Sequence, residues 1–191
     1  MQDPIYPARR VLRRSLEADS QETLTPRRDT ELHVRPASSE DEEGLRRMFS
    51  RLSSQSIYLR FHTPYPKVPE WAVASFIESN RPRKEILLAM VGEEVAGHAM
   101  YVLSDEGRDA EFAIVVEDRW QSKGVGKFLL SRLAEEAKRR SVKTFSGLVL
   151  AENRRMLGLI KSVFSGATYT IKEGVYHVVV PLGSPEAVPA A

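Results

Sequence analysis

The segment Gln121–Gly126 is a glycine-containing loop between a predicted strand and a predicted helix, and it constrains the fold more than any other feature. Its sequence is Gln-Ser-Lys-Gly-Val-Gly; the apolar run Phe112–Val116 precedes it, and the amphipathic segment Lys127–Arg140 follows it. Backbone N–H groups at a helix N-terminus have no partner within the helix, and the helix dipole adds positive potential there. A strand, a loop and a helix in this order form a site for an anion, so we expect a phosphate-bearing cofactor.

Two common phosphate-binding patterns do not fit this loop. A P-loop, G-x-x-x-x-G-K-[ST], needs glycine where Gln121 stands and a hydroxyl where Phe128 stands, so its magnesium ligand is missing. A dinucleotide fingerprint, G-x-G-x-x-G, is met by Gly124 and Gly126 but has Leu129 at its third glycine. A third pattern, Q/R-x-x-G-x-G/A after an apolar strand, is matched in full.

Composition narrows the classes of partner. The chain of 191 residues has no cysteine, which excludes disulfides, cysteine nucleophiles and thiolate metal sites, and favours a reducing, cytoplasmic location. It has no long apolar run, so we expect no membrane partner, and its four histidines are too scattered to predict a metal site. The first 28 residues carry six arginines against four acids, which accounts for the whole net charge of +2. The neutral remainder argues against a nucleic-acid partner.

Hydrophobic periodicity predicts a single α/β domain with one mixed, mostly antiparallel sheet of six to seven strands flanked by helices. We expect an arginine-rich extension at 1–29, the domain at 30–183 and a tail at 184–191. Strands are predicted at 31–35, 85–91, 95–103, 110–116, 144–150, 169–172 and 175–180. Helices are predicted at 40–52, from Ser54 or Ser56 to 61, and at about 70–77, 124–140 and 153–164.

The loop, its flanking strand and helix, and an Asn-led helix one strand later resemble the GNAT family of acetyl-CoA-dependent N-acetyltransferases over about residues 31–182. Within that family the chain is most similar to Pat-type protein lysine acetyltransferase domains, through residues 34–36, 53–61, 110–116 and 153–157. The resemblance implies a sheet splayed at an acetyl-CoA cleft and direct acetyl transfer to an amine. We expect the acceptor to be a protein lysine. A small-molecule amine acetyltransferase and a non-catalytic acyl-CoA sensor are the alternatives.

The cofactor pyrophosphate is expected on the loop amides, because Gly124 and Gly126 lack a Cβ and permit close approach. Lys123 and Lys127 either add charge or are solvated cations, and Gln121 either contacts a phosphate or closes the loop on itself. The resemblance implies that the strand before the loop pairs with the pantetheine arm and that Asn153, a candidate helix N-cap, also contacts the cofactor. The predicted cofactor-binding residues are Ile114, Val115, Val116, Gln121, Ser122, Lys123, Gly124, Val125, Gly126, Lys127 and Asn153.

Acetyl transfer to lysine requires removal of a proton, since the free amine has a pKa of about 10.4. Pat-type domains have a glutamate on the strand before the loop, so Glu111 is the predicted general base; a solvent-facing acid is the alternative. Many GNAT enzymes have a tyrosine acid seven residues after the asparagine, but Ile160 stands there and the general acid is left open. The segment containing Tyr58, Arg60 and Phe61 either lines the acceptor side or is a packed helix face.

Overall fold

Strands and helices follow one another in the order that the periodicity predicts. The computed structural model describes residues 31–77 and 83–183, and the predicted extension and tail lie outside the described residues. The strands are β1 (Leu32–Pro36), β2 (Lys84–Val91), β3 (Glu94–Leu103), β4 (Asp109–Val116), β5 (Thr144–Leu150), β6 (Thr168–Lys172) and β7 (Val175–Pro181). The helices are α1 (Glu42–Ser50), α2 (Ser54–Phe61), α3 (Glu70–Ser75), α4 (Val125–Arg139) and α5 (Arg154–Val163).

Seven strands form one sheet in the order β1-β2-β3-β4-β5-β7-β6. All neighbouring strands are antiparallel except β4 and β5, which are parallel. The parallel ladder is also the shortest, because it ends where Glu111 pairs with Ser146, whereas the β3–β4 ladder continues to Val116. Beyond Glu111, β4 and β5 separate. The mixed, splayed sheet expected from the sequence is thereby confirmed.

Helices cover both faces of the sheet and bury two apolar cores. On one face, α4 contributes an amphipathic stripe at helical spacing and α5 contributes Ile160, which is fully buried. On the other face, α1, α2 and α3 pack against β2, β3 and β4 through Phe49, Ile57 and Val73. Strand β2 is covered on both faces, which explains its nearly continuous apolar sequence. Among the described helices, none has the length and apolar character that crossing a bilayer requires.

The helix predicted at 40–52 starts later than expected because an acid fixes the preceding turn. Ser39–Asp41 forms a 3₁₀ turn, and α1 begins at Glu42. The Asp41 carboxylate accepts hydrogen bonds from the Arg35 guanidinium (2.7 Å) and the Ser38 amide (2.8 Å). The Arg35 hydrogen bond outweighs burial and lowers the pKa of Asp41 to about 2. A second 3₁₀ turn, Asp118–Trp120, has no counterpart among the predicted elements.

Candidate functional site

A cleft of about 490 Å³ opens where β4 and β5 diverge. The loop after β4 and the first turn of α4 form one end of it, α2 forms one wall and α5 forms the other. Its described lining residues include nine of the eleven that the sequence predicts for the cofactor, namely Ile114, Val115, Val116, Gln121, Ser122, Gly124, Gly126, Lys127 and Asn153. Lys123 and Val125 are not among the lining residues.

The loop presents free backbone amides to this cleft. Gly124 is the N-cap of α4 with a φ of +88°, a left-handed conformation that strains any residue with a side chain. The first amide that closes the helix is that of Phe128, which donates to the Gly124 carbonyl (3.0 Å). The amides from Ser122 to Lys127 donate to no described residue. They are the unpaired donors that anion binding at a helix start uses.

Alternate backbone groups of β4 also point into the cleft. The amide of Glu117 donates to a β3 carbonyl (2.9 Å), and at the other end of the ladder Ser104 donates to Asp109 (2.8 Å). In an antiparallel ladder such pairs recur at every second residue, so the odd-numbered residues of β4 bond to β3. Ile114 and Val116 therefore direct their N–H and C=O groups away from β3, toward the gap. Apart from the Val116 C=O, which accepts from the Gln121 side chain (3.0 Å), these groups form the free edge that strand-like pairing with an amide-rich ligand requires.

The Gln121 side chain links three elements around the mouth of the cleft. Its Nε2 donates to the Val116 carbonyl (3.0 Å) and to Ser56 Oγ (3.1 Å). Its Oε1 accepts from Arg155 Nη1 (2.8 Å). Of the two predicted roles for Gln121, this arrangement corresponds to closing the loop, with β4, α2 and α5 tied together by one amide.

Two acids beside the loop are held by local partners. Glu117 is only 3% exposed and pairs with Arg51 (2.7 Å) and Arg119 (2.6 Å). Asp118 accepts hydrogen bonds from the hydroxyls of Ser53 (2.6 Å) and Ser56 (2.8 Å). Burial alone raises the pKa of Asp118, but these hydrogen bonds outweigh it and the net shift is downward. Because both carboxylates are occupied, neither is placed to act as a general base.

The positive side chains near the loop divide into two groups. Lys127 and Arg155 line the cleft. Lys123 instead places its Nζ over the Trp120 ring, 5.0 Å from the centroid, so its side chain lies on the outside of the loop. Arg155 is not among the cofactor residues predicted from the sequence, which contains only a weak indication of it. Arg155 stands in the first turn of α5, where a cation opposes the helix dipole and no acid is present.

A second cleft, of about 230 Å³, lies between β4 and β5 where they separate and shares five lining residues with the first. Glu111 lines it and is exposed at the last β4–β5 pair, on the same strand face as Ala113. Arg60 and Phe61 of α2 line it as well, whereas Tyr58 lines neither cleft. Of the three residues considered for the acceptor side, the structure thus brings two beside Glu111.

Asn153 and Ile160 occupy different environments on α5. Asn153 lines both clefts, and its Oδ1 accepts a hydrogen bond from the Met156 amide (3.1 Å). The helix cap therefore uses Oδ1 and leaves Nδ2 available to a ligand. Ile160 points into the core and is fully buried. The described residues contain no group of three or more histidines and acids that could hold a metal ion.

The acetyltransferase (GNAT) family model matches residues 45–164, which span both clefts. The chain belongs to the GNAT family of acetyltransferases. The structure is similar to the GNAT domain of S. lividans PAT, with 27% identity and a TM-score of 0.72 over 79% of this chain and 90% of that one. An acetyltransferase from Salmonella typhimurium solved with acetyl-CoA is 20% identical, with a TM-score of 0.65 over 84% and 98% of the two chains.

A third similar structure is the spermidine N-acetyltransferase from Vibrio cholerae in complex with CoA and spermine. It is 16% identical, with a TM-score of 0.61 over 79% of this chain and 95% of that one. Membership of the GNAT family makes this chain an N-acetyltransferase that uses acetyl-CoA. The main cleft fits that cofactor, because it combines unpaired loop amides, the cations Lys127 and Arg155, and an unpaired strand edge.

Proposed function

We propose that this GNAT domain acetylates the side-chain amine of a lysine in another protein, by direct transfer and with Glu111 as the general base. The observation that carries the proposal is the composition and shape of the second cleft. Among the described residues that line it, Glu111 is the one acid, and Arg60 brings a positive charge beside it. A site built for a polyamine would gather several carboxylates, because each cationic amine needs a counter-charge.

The surroundings of the second cleft suit an extended segment better than an enclosed small molecule. Leu148 lines the cleft on β5 and is 56% exposed. It lies across from His177 on β7, which is also exposed, so this half of the sheet is open beside Glu111. An open apolar surface next to the proposed catalytic carboxylate gives an extended peptide room to bind while one lysine side chain enters the cleft.

The cofactor supplies an activated acetyl group as a thioester, and the chain supplies orientation and proton transfer. The loop amides would hold the pyrophosphate, and the free backbone groups of Ile114 with the N–H of Val116 would hold the arm that leads to the thioester. Glu111 sits where the strands separate, so it would accept a proton from an amine that enters through the second cleft. A thiolate leaves readily, so no covalent intermediate on the enzyme is needed.

Two other functions have specific support. The similarity to a spermidine N-acetyltransferase favours a small amine, although it rests on 16% identity. Burial of Ile160, at the position where many GNAT enzymes have a tyrosine, favours an acyl-CoA sensor that does not catalyse transfer. The first alternative differs from the proposal in the acceptor, and the second differs in whether any acceptor reacts.

The experiment is to incubate the protein with isotopically labelled acetyl-CoA and a cell lysate, and to map labelled lysines by mass spectrometry. The proposal predicts label on lysines of particular proteins, and none with the Glu111→Gln variant. Label on small amines alone would favour the small-amine alternative. If nothing is labelled while calorimetry shows tight binding of acetyl-CoA, the sensor alternative gains and the proposal fails.

A further inference from the structure

Arg60 is a half-buried cation whose surroundings do not match its charge. It lies in the last turn of α2 and lines both clefts. Its Nε is inaccessible to solvent and donates to no described group. No described carboxylate lies within ion-pairing distance of its guanidinium, although Glu111 interacts with it at longer range. The guanidinium carbon instead lies 5.0 Å from the ring centroid of Phe61 and 5.5 Å from that of Phe76.

Other arginines near the interior show what a matched environment looks like. Arg35 forms two hydrogen bonds with Asp41, and Arg51 forms two with Glu117. In both pairs the hydrogen bonds raise the pKa of the arginine despite partial burial. Arg60 has the opposite shift, since burial lowers its pKa to about 10 and Glu111 offsets this only in part. It remains a cation at neutral pH, and its Nε, shielded from solvent, has no hydrogen-bond partner among the described residues.

Cation–π contacts offset only part of the free energy of burying this charge. A guanidinium over an aromatic ring gains less free energy than an unpaired charge loses when its hydration shell is partly removed. A carboxylate brought to the guanidinium would supply charge-assisted hydrogen bonds at a site that is already partly shielded from water. The unmatched arginine therefore favours an anionic ligand group at the junction of the two clefts.

The charges of the second cleft indicate which reactant carries that group. Glu111 and Arg60 line the same cleft, one negative and one positive. An acceptor with an amine for Glu111 and a carboxylate for Arg60 complements both charges, whereas the acetyl group of the donor is neutral and complements neither. Burial and the charge of Arg60 both lower the pKa of His62, so this neighbour adds no second cation at neutral pH.

We infer that Arg60 binds a carboxylate of the acceptor, so that the enzyme selects amines that have an acidic group close by. Since this inference rests on the proposed function, the substrate is a protein lysine with an aspartate or glutamate beside it in the sequence or in space. A free amino acid offers the same chemistry from a different source. Arg60 thereby fixes the acceptor on one side while Glu111 receives its proton on the other.

The test compares acceptors that differ only in the carboxylate. One arm uses two peptides in which a lysine is followed by aspartate or by asparagine, and the other uses lysine and 1,5-diaminopentane. We expect the wild-type kcat/KM to favour the carboxylate-bearing acceptor by about tenfold or more, mainly through KM, as for a buried charge-assisted hydrogen bond. Arg60→Gln should abolish this preference, Arg60→Lys should retain part of it, and Arg154→Gln, at an exposed arginine outside both clefts, should leave it unchanged.

The outcomes separate this inference from the proposed function. Acetylation of both peptides at equal kcat/KM, or a preference that survives Arg60→Gln, overturns the role of Arg60 and leaves lysine acetylation standing. A carboxylate preference seen only with free lysine supports Arg60 and overturns the protein acceptor. Failure of every acceptor overturns both. The wild-type comparison needs no variant, so it decides the matter even where a change at Arg60 prevents folding.

Discussion

The two clefts, which meet at Arg60, offer a ligand different parts of the chain. At the phosphate end, defined as Gln121–Lys127 with Arg155, the donors offered to a ligand are mostly backbone amides, and hydrogen bonds of Gln121 hold the surrounding elements together. At the reaction end, defined as Glu111, Arg60 and His62, the groups offered are side chains. Neither the Glu111 nor the Arg60 side chain hydrogen-bonds to any described residue.

This difference predicts how each end responds to change. Most substitutions leave backbone donors in place. Cofactor binding at the phosphate end should therefore weaken mainly when a side chain blocks access to the loop amides or changes the conformation of the loop. Side-chain groups are removed by one substitution, so the reaction end should lose its chemistry while the cofactor still binds. Substitutions at the two ends should therefore separate turnover from affinity.

The largest effect is expected at the reaction end, for Glu111→Gln. The amide keeps the size of the side chain but accepts a proton poorly, so kcat should fall by about a hundredfold or more. The dissociation constant for CoA, measured by calorimetry, should stay within about twofold, since Glu111 lines only the second cleft. Glu106→Gln, at an exposed acid in the β3–β4 turn, is the matched control. Unchanged turnover in Glu111→Gln would exclude Glu111 as the base.

The converse pattern is expected for Gly126→Val at the phosphate end. A Cβ at Gly126 would lie 3.3 Å from Leu159 and 3.6 Å from Val116, and both of those residues line the cleft. The added side chain fills the space between them, so CoA affinity should fall roughly a hundredfold through loss of several charge-assisted hydrogen bonds. Gly44→Val is the steric control. Gly44 lies in α1, away from both clefts, and a Cβ there would lie 3.1 Å from Val95. Equal CoA affinity in the two variants would contradict a phosphate site at Gly126.

The division between backbone and side-chain groups also explains which features of the structure the sequence could predict. The fold is largely predictable, because apolar periodicity determines which face of each strand and helix is buried, as in β2 and α4. The loop is predictable because two glycines and a preceding strand leave few backbone arrangements. The two 3₁₀ turns are not, since the first depends on the contact of Asp41 with Arg35 and the second has no local signature.

Residues that reach the cleft through tertiary contacts are harder to foresee. The sequence allows two roles for Gln121, and the choice depends on Ser56 and Arg155, which lie 65 and 34 residues away. It identifies Arg60 only as a candidate, because its unpaired guanidinium follows from the absence of a described acid within ion-pairing distance rather than from any pattern. Spacing along one element carries no information about which charges on other elements come close.

A smaller effect at the phosphate end tests whether side-chain charge contributes there at all. Arg155→Gln removes a cation from the cleft and the hydrogen bond to Gln121, so CoA should bind about tenfold more weakly at low salt. The difference should shrink as ionic strength rises, because Arg155 is exposed and its charge is screened. Arg154→Gln removes the neighbouring charge, which is exposed and lines neither cleft, and should leave affinity nearly unchanged. Equal losses in both variants would indicate a general charge effect.

The smallest effect is expected behind the reaction end, in the pH dependence of stability. His98 is fully buried beside Phe49 and Phe76, and its Nε2 lies 3.2 Å from the Phe76 carbonyl. Burial, reinforced by the charges of Arg60 and Lys84, lowers the pKa of His98 from 6.5 to about 3. The folded state therefore keeps this ring neutral in a range of pH where the unfolded chain takes up a proton.

The sign of the pH effect follows from that difference in proton binding. Stability from neutral His98 is fully present above pH 6.5 and is lost progressively as the pH falls toward 3. Between pH 6.5 and about 5.5 the free energy of unfolding should drop by about 1 kcal/mol from this residue alone. In His98→Gln, the free energy of unfolding measured by urea denaturation should fall by that amount less over the same pH range, whatever the stability of the variant at pH 7. The control His177→Gln, at an exposed histidine, should show the pH dependence of the wild type. If the pH dependence of stability were unchanged in His98→Gln, the His98 ring would not be held neutral in the folded protein. The reaction end would then be more accessible to water than its burial indicates.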